Sequence, residues 1–369
     1  MNIKQWLGVS LLSLTLFTGC GDNAYDGTGL KSVQDNSKSE ESLSSIQKNI
    51  FLKNINEFAD ALNTLESKVL LYDKNLTSTD TSKLQILFVE LIGKWKAVET
   101  TYVAGEYDSS LIDSLRFIEY FIKASKNQDI PADVQDALNA TGNIDNLLFK
   151  NTSKSMRALE YLIFDTQKSS VDLVILMNKD NRRRIDALKV VLASLKSRTN
   201  PILNFYKNDT LFVSDTTAAL NALVNVLIDS AFNLREKRIG EPAGFVVKTK
   251  DNPSPSILEY YNSKNSITSV IAILNTHKTM MGEKSYKNLG SFASENGAAD
   301  IVRSIRENID NSLGFANQIN SLEDAIASDP IDPNVKKLYD EIKLLQDNYF
   351  SSLIDSLDLT VKIIDADGD

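Results

Sequence analysis

The stretch Leu84-Gln85-Ile86-Leu87-Phe88-Val89-Glu90-Leu91-Ile92-Gly93-Lys94-Trp95-Lys96-Ala97-Val98-Glu99-Thr100-Thr101-Tyr102 steps its apolar residues by three and four, at Leu84, Leu87, Leu91, Trp95, Val98 and Tyr102. That spacing lays them along one face of an α-helix. Working outward, Ile55, Phe58, Leu62, Leu65 and Val69 repeat the pattern upstream. Downstream it recurs in Leu111, Leu115, Ile118 and Ile122, in Ile185, Leu188, Leu192 and Leu195, and in Leu220, Leu223, Leu227, Ala231 and Leu234. It returns in Ile267, Val270 and Leu274, in Ile301, Ile305, Ile309 and Leu313, and in Val335, Leu338, Ile342, Leu345, Tyr349 and Leu353. Nowhere is a two-residue alternation sustained, so the predicted class is all-α. One apolar stripe per helix is what helix bundles require.

Breaks separate the stripes at Ile130-Pro131, Thr141-Gly142-Asn143, Gly240-Glu241-Pro242-Ala243-Gly244, Asn252-Pro253-Ser254-Pro255 and Asp329-Pro330-Ile331-Asp332-Pro333. Proline and glycine there end helices. Pro201 lies between two apolar stretches and either kinks one helix or separates two. The expected domain boundary is placed beside it, giving bodies at 45–200 and 201–369. Two domains also suit the length, because single cores stop growing near ~250–300 residues.

The N-terminus has a different character. Lys4, a short apolar stretch from Trp6 to Phe17, and Thr18-Gly19-Cys20 read as a bacterial secretion signal over residues 1–19, with Cys20 as the lipidated residue. The apolar run is too short to span a bilayer. Cys20 is the single cysteine of the 369 residues. A disulfide and a thiolate metal site are thereby ruled out, and the fold must rest on packing. Residues 20–44 are mostly small, polar or charged and read as a lipid-bearing disordered tether, spanning on the order of 25–30 Å as a flexible coil. The formal charge is −9. With no basic stripe, that balance disfavours nucleic acid and adsorption to anionic lipid, so membrane contact is expected through the lipid alone. Gly21 stands where some enteric bacteria place an inner-membrane retention aspartate, which leans towards the outer membrane.

Chemistry is sparse. His277 is the one histidine, and beside Met280-Met281-Gly282 it reads as an exposed helix-end residue. Carboxylates are the plentiful candidate ligands and favour hard cations, ferric iron among them. The informative segment is Lys154-Ser155-Met156-Arg157-Ala158-Leu159-Glu160-Tyr161-Leu162-Ile163-Phe164. Glu160 leaves an otherwise apolar helix, where a charge needs a partner. Arg157, three residues back, shares its face. Two readings stay open, a structural Arg–Glu tie between helices and a solvated functional pair. Ile118-Glu119-Tyr120, Leu159-Glu160-Tyr161 and Leu258-Glu259-Tyr260 form a weak internal echo, and Glu160 facing Glu259 would make a paired acidic site with metal-binding potential.

Glu160-Tyr161-Leu162-Ile163-Phe164 resembles the signature helix of the imelysin-like family, also known as the imelysin peptidase family. The family's Gly-x-His-x-x-Glu motif falls on Ser155, Arg157 and Glu160, of which the glutamate alone matches. Trp95 and Tyr102 resemble the first-domain aromatic helix. Lys237-Arg238-Ile239-Gly240-Glu241-Pro242-Ala243-Gly244 resembles a second-domain loop, and Glu259 to Ser266, with Ser263, the segment that follows it. The ending Asp367-Gly368-Asp369 is also similar. The resemblance implies two four-helix bundles side by side with a cleft between them, and an envelope lipoprotein connected with iron or haem uptake. It puts the ligand site at Arg157, Glu160, Glu259 and Ser263, with iron or an iron chelate as ligand and an iron or haem transporter as partner. Arginine stays protonated and offers no lone pair, so Arg157 cannot take the histidine's place on a metal. The expectation is therefore binding without catalysis. The alternatives are a metallopeptidase using Glu160, and an adhesin or assembly protein without a small-ligand site.

Overall fold

The computed structural model describes residues 36–121 and 129–361. The signal segment, Cys20, the first part of the expected tether and Asp367-Gly368-Asp369 lie outside them. All regular structure among the described residues is helical. The principal helices are α1 (Asn36–Ile46), α2 (Lys53–Tyr72), α3 (Ser78–Thr100), α4 (Ser114–Glu119), α5 (Met156–Phe164), α6 (Arg183–Asn208), α7 (Thr216–Asn233), α8 (Ser266–Met281), α9 (Ala299–Ala316) and α10 (Pro333–Asp347).

The sequence features explain where α3 starts and what it buries. Thr77 caps it by accepting the Asp80 amide, and Asp80 in the first turn favours the positive end of the helix dipole. Leu84, Phe88, Leu91, Ile92 and Trp95 are fully buried. Each such aliphatic or aromatic side chain contributes about 1.5–3 kcal/mol relative to exposure. The stripe is wider than the sequence spacing gives, because α3 is gripped from two sides. It packs on α2 and α5 in the first half of the chain and on α8 in the second. α2 also packs on α6, which packs on α5. In the second half α8 packs on α9, α9 on α10, and α10 on α7. The α3–α8 contact is thus the seam that joins two groups of helices within one compact unit, Asp35–Asp369.

Two expectations fail here. Residues 36–44 are not a disordered tether but belong to α1, whose Leu43 and Ile46 are fully buried while Glu40 and Glu41 face solvent. Nor does the chain break at Pro201. α6 runs through it from Arg183 to Asn208, so the expected boundary falls inside a helix. Proline removes the amide bond to the carbonyl of Ser197, yet both residues are exposed and water satisfies that carbonyl. Thr199, Ile202 and Tyr206 carry the buried face past the proline.

α7 continues into a wide π-helical turn, Leu234–Gly240, followed by a short helical piece, Glu241–Ala243, that Gly244 closes with φ 72°. A Cβ at Gly240 would lie 2.7 Å from Val246 Cγ1 and 2.8 Å from Tyr339 Cε2. A side chain at that position would therefore push Val246 and Tyr339 aside. π-turns inside α-helices concentrate at functional sites. This one carries Arg238 into the interior, with 4% of its surface exposed.

Candidate functional site

The Glu160 helix is held at both ends. Ser155, at the glycine position of the family motif, is the N-cap, with extended backbone and its hydroxyl accepting the Ala158 amide. At the other end the Arg184 guanidinium donates to the carbonyls of Leu162 at 2.9 Å and Tyr161 at 2.7 Å, and pairs with Asp165 at 2.9 Å. A cation bonded to the last carbonyls is the arrangement favoured at a helix C-terminus. So fixed, α5 turns Glu160 towards the Tyr261–Ser263 turn, where its Oε1 accepts the Ser263 amide at 2.8 Å. Only 1% of Glu160 is exposed. Burial pushes its carboxyl up to about 8, against the pull of the Ser263 hydrogen bonds and the Arg157 charge, with Glu119 adding to the rise. Arg157 is half-buried and lies over the Phe121 ring at 5.9 Å. Among the described residues no salt bridge joins it to Glu160.

The pair is therefore neither of the arrangements that the sequence left open. It is not an Arg–Glu tie, and Glu160 does not line a water-filled cleft. It is a buried acid, mostly protonated at neutral pH, hydrogen-bonded across the seam.

Beside it lies a cluster of charges of which the sequence reading placed only Glu259 at the site. Lys96 on α3 is fully buried, with its Nζ 2.5 Å from Glu259 Oε1, 2.8 Å from Glu99 Oε2 and 3.3 Å from Glu119 Oε2. Arg238 donates through Nε to Glu259 Oε2 at 2.8 Å and through Nη2 to both Glu99 oxygens at 2.9 Å. Ser269 Oγ donates to Glu259 at 2.6 Å, and Tyr260 donates its hydroxyl to Glu119 at 2.9 Å. Burial opposes ionisation of Glu259, but Arg238 and Lys96 outweigh it and hold the carboxyl down at about 2. Glu119 goes the other way. Burial raises it to about 7, with the charges of Glu259 and Glu99 adding to the rise and Lys96 and the Tyr260 hydroxyl pulling against it. Burial alone would lower Lys96, yet the surrounding glutamates raise it and keep it charged.

All three echo glutamates are thus interior, with 2% exposure at Glu119, 1% at Glu160 and 2% at Glu259. The Glu-Tyr repeat was the available signal for Glu119. For Lys96 it was the neighbouring Trp95, and for Arg238 the glycine-bounded turn. Glu160 and Glu259 do not form the paired acidic site considered from the sequence. Glu259 spends its oxygens on Lys96, Arg238 and Ser269, while Glu160 takes the Ser263 amide. Among the described residues no group of three or more metal-ligating side chains is arranged to hold a metal ion. His277 corrects another expectation. It is fully buried in α8, its ring nitrogens 3.2 Å from Ser230 Oγ and 3.1 Å from the Tyr349 hydroxyl, and burial lowers it to about 3. The methionines after it belong to the same helix, and both are core residues.

Next to the charge cluster opens a cavity of about 730 Å³ between the α3–α4 region and the α7–α8 side. Tyr102, Tyr107, Tyr120 and Phe121 supply aromatic wall, and Glu99, Glu119 and Arg238 line it too. Arg238 lies over the Phe121 ring at 5.6 Å, so this ring has a guanidinium from each group of helices close to it. A volume of this order suits an organic molecule rather than a bare ion.

Comparisons with known proteins agree with this architecture. The profile of the peptidase family named imelysin matches residues 52–349. An imelysin-like protein from Psychrobacter arcticum superposes with a TM-score of 0.69 at 14% identity, covering 89% of this chain and 98% of its own. A protein described as an iron-regulated protein A precursor, from Parabacteroides distasonis, gives a TM-score of 0.62 at 12% identity, covering 87% of this chain and 97% of its own. At these identities the two structures show a shared fold. No curated protein shows significant similarity to the chain.

Proposed function

Because this chain belongs to the imelysin family, we propose that it is a non-catalytic binding or uptake-accessory protein of the bacterial envelope, serving iron or haem acquisition through a ligand site in the seam between its two helix groups. In this reading lipid on Cys20 holds it to a membrane, the outer rather than the inner, facing the periplasm or the cell surface, and its partner is an iron or haem transporter. The iron connection draws on the iron-regulated relative of like fold.

The observation that carries the non-catalytic part is the state of the motif residues. Arg157 occupies the histidine position, and its guanidinium cannot ligate a metal. Glu160 holds its proton to about pH 8, is almost fully buried and is already bonded to the Ser263 amide, which makes it a poor metal ligand at neutral pH. Nor do Glu160 and Glu259 fit a bare ferric ion, since Lys96 and Arg238 occupy the oxygens of Glu259. Iron as cargo would enter as a chelate, in the aromatic-walled cavity.

Two measurements test the reading. Thermal-shift titration of the full chain with ferric citrate, haemin and ferric chloride should give saturable stabilisation with a chelate or haem and none with the simple salt. A flat response to all three, joined to normal growth of a deletion strain under iron limitation, would sink it. Incubation with unfolded protein substrates should yield no cleavage. Chelator-sensitive proteolysis that disappears in Glu160→Gln would restore the metallopeptidase.

A further inference from the structure

Among the described residues, the buried charge cluster contains one more carboxylate than it has cations. Lys96 and Arg238 face Glu99, Glu119 and Glu259, and the bonds are shared unequally. Glu259 lies 2.5 Å from Lys96 and 2.8 Å from Arg238, and Glu99 lies 2.8 Å and 2.9 Å from the same two groups. Glu119 has Lys96 at 3.3 Å and otherwise the neutral hydroxyl of Tyr260. A buried charge without its own counter-ion is costly, and such a group either keeps a proton or waits for a partner. Glu119 lines the cavity, so a partner can reach it from there.

The cavity has two further unmet needs. Thr100 Oγ1 and the Tyr107 hydroxyl are buried without a hydrogen-bond partner, and both residues line it. Thr100 is 2% exposed, and the next residue, Thr101, bonds back to the Ala97 carbonyl at 3.0 Å as helical threonines commonly do. Thr100 does not. Unpaired buried hydroxyls of this kind mark a missing partner. Phe121 and Tyr120 already lie against guanidinium groups of this chain, and the Tyr102 and Tyr107 rings of the same wall are faces of the kind that attract ammonium groups. Nε and Nη2 of Arg238, by contrast, are directed at Glu259 and Glu99, and Arg116, the other cation of the lining, lies over the Tyr120 ring at 6.0 Å.

We propose that this cavity binds an organic cation, a primary ammonium on an aromatic or apolar body, with Glu119 and Glu99 as counter-charge and Thr100 as hydrogen-bond acceptor. The proposal deepens the binding reading above and rests on its ligand site, since it names the part of the ligand that the site recognises. A chelate bearing such an amine would qualify, as would the free amine.

The test is calorimetry of the full chain at mildly alkaline pH with three probes of one shape: 2-phenylethylammonium, 2-phenylethanol and 3-phenylpropionate. The ammonium should bind saturably, and at least tenfold more tightly than the alcohol or the carboxylate. Glu119→Gln should weaken it by about tenfold. Thr100→Val, which removes only an unpaired hydroxyl, should leave the melting temperature unchanged or higher and weaken the ammonium a few-fold. Preference for the carboxylate, equal binding of all three probes, no saturable binding, or wild-type affinity in both variants would each overturn the proposal. Ferric citrate titrated in parallel separates the two readings. Ferric citrate binding without ammonium binding defeats the cation site and leaves the iron function standing; the reverse supports the cation site and counts against the iron function.

Discussion

Replacing Glu160 by glutamine should stabilise the protein near neutral pH, although Glu160 is the residue that matches the family motif. Glutamine copies the shape of a protonated glutamate, and its amide oxygen can accept the Ser263 N–H that Oε1 accepts now at 2.8 Å. The energetic difference lies in the proton. Burial raises the carboxyl from its ordinary 4.5 to about 8. Between those values the folded chain holds a proton that the unfolded chain has released. A raised carboxyl stabilises the fold fully below its unfolded value, and that stabilisation drains away as pH rises through the folded one. At ~1.4 kcal/mol per pH unit the wild type loses on the order of 3 kcal/mol by about pH 7. Glu160→Gln does not titrate and escapes this loss. With an unfolding entropy of ~2.1 cal/mol/K per residue, a body of this size shifts ~1.5 °C per kcal/mol, so the mutant should melt ~4–5 °C higher at about pH 7 and within ~1 °C of wild type at about pH 5. Calorimetry or circular-dichroism melts at both pH values decide it. A lower melting temperature at both would mean that Glu160 is ionised and tied to Arg157, and would refute the reasoning.

Glu259→Gln should behave oppositely, costing on the order of 3 kcal/mol in urea unfolding near neutral pH, because it removes the carboxylate that lies nearest to both Lys96 and Arg238 and leaves them Glu99 and Glu119 alone; its carboxyl is held down at about 2, so the loss relative to wild type should fade as pH drops from about 4.5 towards 2. Gly240→Ala should destabilise by about 1–3 kcal/mol, since its Cβ would press on Val246 and Tyr339, and a matched Gly93→Ala, where nothing lies within 4 Å, should be neutral or better by denaturant titration. Cys20→Ser should move the protein from the detergent to the aqueous phase in cloud-point extraction without altering its melt; equal partitioning of both proteins would reject lipidation at that residue.

The helices were legible because each buries a regular face. Leu84, Leu91, Trp95 and Val98, or Val335, Leu338, Ile342 and Leu345, are interior where their spacing put them. Spacing speaks only of faces, however, and α3 is buried on more than one. Lys96 sits next to Trp95, where a lysine ordinarily marks the solvent side, and Glu119, Glu259 and Tyr260, all distant in sequence, meet it in the interior. The same limit hid Glu99 and Arg238, whose partners are 139 positions apart in sequence. The sequence reading found Glu160 and Ser263 and expected them in one place, and the structure joins them by a hydrogen bond. What it lacked was solvent, since an open cleft and a closed seam can be built from the same residues. Pro201 and residues 36–44 failed for a related reason. Local composition said break and tether, while the buried faces continuing through Ile202 and Leu43 decided for helix.

That Asn36 already belongs to α1 also limits how far the protein can search. With lipid at Cys20 as proposed, the chain between Cys20 and Asn36 reaches no more than ~55 Å even when fully drawn out. A helix beginning at the end of the expected tether would have allowed half as much again. Confined to a half-sphere of that radius, one copy presents its cavity to neighbours in the same leaflet at an effective concentration of a few millimolar, on the order expected for a short leash. Capture of a partner there needs no tight interface.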